Sequence, residues 1–253
     1  MNKLERKKRL LSIINEKKGA TVSELATLLE VSPYTIRRYL QELSQEGLLK
    51  KVYGGATLNF GTGFEYNFYE KEKRNKESKS LIAKKAIEII KSGMVVLFDS
   101  STTVLSLARL VKDKGLNITV VTNSLPITRE LIDTKGIEIF TLGGKVRRQN
   151  LSFVGYLTIK SLKNINVDIV FMGVTGISEE GITTVDMEEA ETNNAMLKIS
   201  KQRIILADET KIGRISFFKV ADLSDIDILI TTHYADKEEL KKIKKNKVKV
   251  VLV

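Results

Sequence analysis

The sequence predicts an α/β chain in two parts: a small helical domain ending in a β-hairpin over residues 1–58, and a larger parallel-sheet domain over residues 80–253. Three observations predict it. Capped amphipathic helix patterns fill the first 45 or so residues, and two lysines then lead into Gly54-Gly55, a turn signal. From Ser80 onward, short apolar runs alternate with helix-length amphipathic segments, as in a sheet whose strands are joined by helices.

The first helix spans residues 3–17, where Leu10, Ile13 and Ile14 share a face, and stops at Gly19. Thr21 with Glu24 three residues later is a capping box, and Val22, Leu25, Ala26 and Leu29 form the buried face of a second helix. After a break at Glu30-Val31, Ser32 is the N-cap and Pro33 the first residue of a third helix, closed by Gly47. Ile36, Leu40 and Leu43 must face the other two helices. That turns Tyr34, Thr35, Arg38 and Gln41 outward, with Arg37 at the flank. Arginine makes bidentate contacts to guanine edges or clamps phosphates, and hydroxyls reach backbone oxygens, so this face suits the major groove of double-stranded DNA. The segment from Leu48 to Leu58 then reads as a wing, with Lys50 and Lys51 beside the phosphates, completing a winged helix-turn-helix.

Residues 59–79 read as a linker whose aromatics (Phe60, Phe64, Tyr66, Phe68, Tyr69) dock on a domain surface, stacking on bases being the alternative. Beyond it the pattern gives helix 80–91, strand 94–98, helix 103–112, strand 118–122, helix 125–134, strand 137–142, helix 155–164, strand 167–173, helix 187–200, strands 203–207 and 227–231, helix 236–245 and strand 248–253. The strand runs are continuously apolar, as strands buried on both faces should be. Ligands of such sheets bind at the carboxyl ends of the strands. Four polar segments fall there: Asp99-Ser100-Ser101-Thr102-Thr103, Thr122-Asn123-Ser124, Gly143-Gly144 with Arg147-Arg148, and Asp208-Glu209-Thr210-Lys211. Ser or Thr after a strand is usually a helix cap, but four such segments together point to one anion-holding pocket.

Composition narrows the chemistry. The chain has 253 residues, 42% hydrophobic, with no cysteine and a single histidine, His233. Disulfides, thiolate chemistry and most transition-metal sites are thereby excluded, and no cofactor is expected. No stretch approaches the ~18 apolar residues of a membrane span, so a soluble, cytoplasmic protein without a membrane partner is expected. The net charge of +11 is concentrated at the ends, with 11 Lys/Arg against 6 Asp/Glu in residues 1–58 and 7 against 3 in residues 236–249. The first excess fits a polyanionic partner; the second reads as the solvated face of a last helix.

Thr21-Val22-Ser23-Glu24-Leu25-Ala26, Val31-Ser32-Pro33-Tyr34-Thr35-Ile36-Arg37-Arg38-Tyr39-Leu40 and Lys51-Val52-Tyr53-Gly54-Gly55-Ala56 together resemble the DeoR/GlpR repressor family. Phe98 to Thr103, Val121 to Leu125, Leu142-Gly143-Gly144, Ser152 to Gly155, Met187 to Ala190 and Leu206 to Gly213 are similar to that family's sensor domain, itself related to sugar-phosphate isomerases. The resemblance implies a homo-oligomeric repressor of a sugar-metabolism operon. It also implies a phosphorylated sugar or polyol effector held by Asp99, Ser100, Thr102, Thr103, Asn123, Ser124, Arg148 and Lys211. Tyr39 and Tyr53 replace a usual aspartate and histidine, marking where operator preference departs from the family. Ser101 replaces a common glycine, and Asn193-Asn194 stand where a lysine is frequent. Two alternatives stay open: an isomerase-like enzyme using Asp99, Asp186, Glu188 and Glu189 as acid and base, and a winged helix that binds protein rather than DNA.

Overall fold

A computed structural model describes residues 3–17, 19–45, 49–57, 62–63 and 65–253. The chain divides into two compact units, Met1–Tyr66 and Asn67–Val253.

In the first unit, α1 (Lys3–Glu16), β1 (Ala20–Thr21), α2 (Val22–Leu29), α3 (Pro33–Gln45), β2 (Lys50–Val52) and β3 (Gly55–Thr57) follow in order. Thr21 caps α2 reciprocally: its hydroxyl accepts from Glu24 N at 3.2 Å, and its own amide donates to the Glu24 carboxylate at 2.8 Å. Ser32 Oγ accepts from Thr35 N at 3.2 Å and starts α3. The close of α3 at Gly47 and the wing's ends at Leu48 and Leu58 lie outside the described residues. Leu10, Ile14, Leu25, Ile36, Leu40 and Leu43 interlock in one core. The hairpin pairs Val52 with Gly55 around a two-residue turn, where Gly54 takes φ +74°. β1, a strand of two residues that no sequence pattern announced, pairs antiparallel with β3. A Cβ on Gly55 would come within 2.3 Å of the Ala20 carbonyl, so glycine is what admits β1 alongside.

The second unit begins earlier than residue 80. α4 (Phe68–Lys73) and α5 (Lys76–Ala86) belong to it, so the stretch expected as linker is structured from Asn67 on. Asn67 and Glu70 form a capping box for α4, and Phe68 is buried in the core of one sheet face. Phe60 and Phe64 lie outside the described residues, and Tyr69 is exposed.

There follow β4 (Val95–Phe98), α6 (Thr102–Asp113), β5 (Ile118–Thr122), α7 (Leu125–Leu131), β6 (Ile137–Thr141), β7 (Lys145–Arg147), β8 (Ser152–Val154), α8 (Tyr156–Leu162), β9 (Val167–Gly173), β10 (Gly176–Ser178), β11 (Gly181–Thr184), α9 (Met187–Lys198), β12 (Ser200–Leu206), β13 (Phe218–Ala221), β14 (Ile228–Thr231), α10 (Lys237–Lys245) and β15 (Lys249–Leu252). Seven of these strands make one parallel sheet in the order β15-β14-β12-β9-β4-β5-β6, with an apolar cluster on each face. The sheet grows outward from β4 in one direction and from β9 in the other. A crevice therefore opens at their carboxyl ends, where ligands of doubly wound sheets bind. The short hairpin β7-β8 and the antiparallel sheet β10-β11-β13 were not anticipated from the sequence. Among the described residues no helix is long and apolar enough to cross a membrane.

Candidate nucleic-acid interface and effector site

Helix periodicity fixes the recognition face. Tyr34, Arg37, Arg38 and Gln41 are exposed on α3 and Thr35 is partly buried, its hydroxyl 3.0 Å from Ser32 Oγ. Lys50 and Lys51 are exposed on β2, and Lys51 Nζ donates to Gln41 Oε1 at 2.7 Å, joining helix and wing into one basic surface. All seven residues expected to face DNA thus lie on one unit. Tyr39 does not join them: it is 2% exposed and packs in the core with Ile36, Leu40 and Leu43. Its replacement of aspartate is a packing change, with the Arg38 guanidinium 5.6 Å from its ring centre. Tyr53, by contrast, is fully exposed at the apex of the hairpin turn and extends the surface beyond the two lysines.

In the second unit the strand ends converge around Asp99. Its Oδ1 accepts from Ser101 N and its Oδ2 from Gly173 N, both at 2.9 Å, so this carboxylate clasps β4 to β9 at the crevice. Burial pushes its pKa up to about 7 against those two hydrogen bonds, and the charge of Glu189 adds to the rise. Ser100, Thr102 and Thr103 are buried beside it. Ser101 Oγ is the N-cap of α6, accepting from Val104 N at 3.2 Å, and its side chain fills the space where a Cβ on Gly173 would stand. Asn123, buried at the end of β5, donates to the Phe153 carbonyl at 2.9 Å, while its Oδ1 has no partner. Ser124 Oγ caps α7 at 3.3 Å from Ile127 N.

Arg148 is exposed, and Arg147 turns inward instead, with Nε 3.3 Å from Asp186 and Nη1 3.7 Å from Glu189. The alternation of strand β7 decides this, since neighbouring side chains point to opposite faces. The carboxylates of the enzyme alternative are engaged: Asp186 caps α9, Glu188 pairs with Lys145 at 2.6 Å, and Glu189 accepts from Asn150 Nδ2 at 2.6 Å and Thr184 Oγ1 at 2.8 Å. His233 is exposed. Asn194 donates to the Val220 carbonyl at 2.8 Å, tying α9 to β13.

Beyond the end of β12 lies a basic cluster of which sequence patterning pointed only to Lys211. Lys211 is partly buried, and burial pushes its ammonium below the usual lysine range. Asp208 opposes that effect, while Arg214, Lys71 and Arg74 reinforce it. Lys79 is 5% exposed. Burial brings its pKa down to about 8 against the pull of Asp208, with Lys211, Lys71 and Arg74 pushing the same way. Glu209, the neighbouring carboxylate, receives Ser78 and Thr232 hydroxyls at 3.3 and 2.9 Å. Cations thus outnumber carboxylates in a desolvated place, an arrangement that favours an incoming anion. A signal for Lys79 was present in the sequence. It sits on the stripe Lys79, Ile82, Ala83, Ala86, a lysine in an otherwise apolar helix face.

Known proteins carry the same two-part pattern. The family described as DeoR-like helix-turn-helix domain matches residues 6–61, and the family described as DeoR C terminal sensor domain matches residues 74–233. The HTH-type transcriptional regulator GlpR of Haloferax volcanii is 35% identical over 98% of this chain and 96% of its own length. The HTH-type transcriptional repressor GlcR of Bacillus subtilis is 35% identical over 90% of this chain and 87% of its own length. The lactose phosphotransferase system repressor of Staphylococcus epidermidis is 32% identical over 97% and 96%. Among solved structures, ribose 5-phosphate isomerase A of Methanocaldococcus jannaschii superposes at a TM-score of 0.38 with 19% identity over 54% of each chain, too loosely to transfer chemistry.

Proposed function

The chain belongs to the DeoR family of helix-turn-helix transcriptional regulators, and we propose that it represses a sugar-metabolism operon by holding operator DNA under the control of a phosphorylated sugar or polyol. The observation that carries the DNA half is the single surface made by Tyr34, Thr35, Arg37, Arg38, Gln41, Lys50 and Lys51, bridged by the Lys51–Gln41 bond. In this reading α3 enters the major groove and the wing lysines meet phosphates, with Tyr53 beyond them.

The effector lies at the crevice between β4 and β9, with its phosphate toward Lys79 and Lys211. The hydroxyl-bearing part lies among Asp99, Ser100, Thr102, Thr103, Asn123, Ser124 and Arg147, which takes the place assigned to Arg148. Regulation is favoured over turnover because the carboxylates at the crevice are committed to backbone amides, arginine, lysine and side-chain donors. The protein acts in the cytoplasm as a homo-oligomer that sets two reading heads on repeated or palindromic half-sites.

Operator binding measured against salt tests the first half. The logarithm of affinity should fall linearly with the logarithm of salt, and Arg38→Ala should cost about 1–3 kcal/mol on the operator if that side chain reads a base. Affinity indifferent to both would refute DNA reading by this face. A thermal-shift screen of phosphorylated sugars and polyols tests the second, since a ligand of the folded state raises the midpoint. Sedimentation of the operator complex as a single monomer on DNA would refute the oligomer.

A further inference from the structure

Lys71 belongs to two structures at once. Its ammonium donates to Asn150 Oδ1, and its carbonyl accepts from Lys79 Nζ, yet its charge is also felt by both Lys79 and Lys211 in the basic cluster. From Asn150 the network continues to Glu189 at 2.6 Å, and the charge of Glu189 reaches Asp99 at the crevice. The helix that carries Lys71 is α4, whose N-cap Asn67 is the first residue of the second unit, directly after the reading unit ends at Tyr66. Besides the two lysine ties, α4 is held by Phe68 N donating to the Gln149 carbonyl at 2.8 Å and by Glu72 accepting from Arg109 at 2.6 Å.

We infer that Lys71 is the residue through which an anion in the basic cluster is transmitted to the reading unit. This rests on the assignment of that cluster as the seat of the effector's phosphate. Both ties of Lys71 end on neutral oxygens, an amide carbonyl of Asn150 and its own peptide carbonyl. A charged acceptor makes a hydrogen bond roughly twice as strong as a neutral one. An anion placed among Lys79, Lys211 and Arg74 therefore draws the Lys71 ammonium off Asn150 and the Lys79 ammonium off the Lys71 carbonyl. Two of the ties that dock α4 are exchanged for contacts to the ligand. The helix from which the reading unit continues is loosened from the sheet domain, while Phe68 keeps it attached.

Hydrogen exchange on the full chain tests this, with inorganic phosphate as the probe and the thermal midpoint read in parallel. In the wild-type protein phosphate should raise the midpoint and quicken exchange in the peptide covering residues 68–74 by about tenfold, with the sheet strands unchanged. Asn150→Ala should show the quickened exchange without phosphate, gain nothing further from it, and keep the midpoint rise. Lys71→Met should match Asn150→Ala in exchange, and Lys71→Arg, which retains the charge and the donor, should restore both the protection and its loss on adding phosphate. A merely structural role for Lys71 would not make the exchange depend on phosphate. The proposal is overturned if Asn150→Ala leaves this peptide as protected as before, or if phosphate raises the midpoint while exchange there stays level or slows. A midpoint indifferent to phosphate, with the peptide still loosened in Asn150→Ala, would instead refute the anion seat and with it this trigger, leaving only the tie.

Discussion

On α3 the carboxylate of Glu42 gathers Lys3 and Lys7 from α1 at 3.0 and 2.8 Å and lies 4.0 Å from Arg38 Nε. Hydrogen bonds from Lys7 and Lys3 hold its pKa down at about 2, so it is ionised whenever the protein is folded and bound to DNA. Two lysines that would otherwise be available to phosphates are thereby occupied. Glu42→Gln should release them, steepening the salt dependence of non-specific binding by about 0.9 for every further phosphate neutralised and lowering the ratio of operator to non-specific affinity. An unchanged slope in a filter-binding titration would show that neither lysine reaches DNA.

Asp99 makes the opposite kind of commitment, inward. Asp99→Ala orphans the amides of Ser101 and Gly173 and should cost about 1–3 kcal/mol for each in denaturant unfolding. At this scale the sequence was most legible where a helical period or a cap dictates the outcome. Thr21 with Glu24, Ser32, and the outward Arg38 and Gln41 follow from spacing alone. It was least legible where a polar residue occupies an apolar stripe. Tyr39 and Lys79 are both buried against the habit of their side chains, and Arg147 and Arg148 exchange roles on a strand too short to declare its phase.

Among the elements, the long buried strands and the helices between them were readable because each buries enough apolar surface to leave a run in the sequence. β7, β8, β10, β11 and β13 are three or four residues each and are paired with segments far along the chain, so no local pattern marks them. α4 was passed over for its aromatics and alternating charge, although Asn67 and Glu70 carried the spacing of a capping box. The junction of β9 with α6 offers a test of how closely these elements meet. A Cβ on Gly173 would lie 2.3 Å from Ser101 Cβ, so Gly173→Ala should lose about 1–3 kcal/mol through overpacking. Ser101→Gly removes the opposing side chain and costs only a few tenths of a kcal/mol as an N-cap change, so the double variant should recover most of the loss. Losses that simply add in thermal unfolding would place the strain elsewhere.

In the whole molecule the net charge of +11 sits mainly at the two ends, yet the cations that distinguish the second unit come from its electrically balanced middle. Lys71, Arg74, Lys79 and Lys211 are offset along the sequence by acids such as Glu70, Glu72, Asp208 and Glu209, and only folding sorts them into a cluster. Burial leaves Lys79 with a pKa of about 8 against 10.5 for an ordinary lysine, so the unfolded chain holds this proton more tightly than the folded one. The unliganded protein therefore gains stability from this group as pH rises from about 8 towards 10.5, and the strain of burying the charge is fully present below about 8. An anion reverses the sign by favouring the charged form, raising the pKa of Lys79 in the complex. Binding of inorganic phosphate should then take up as much as one proton per site above pH 8, where phosphate itself is already dianionic. The affinity should weaken by up to about tenfold per pH unit between about 8 and the raised value. Calorimetry in buffers of different ionisation enthalpy reads the proton count directly. In Lys79→Met the uptake should vanish, and uptake that persisted there would move the responsible lysine to Lys211 and the phosphate with it.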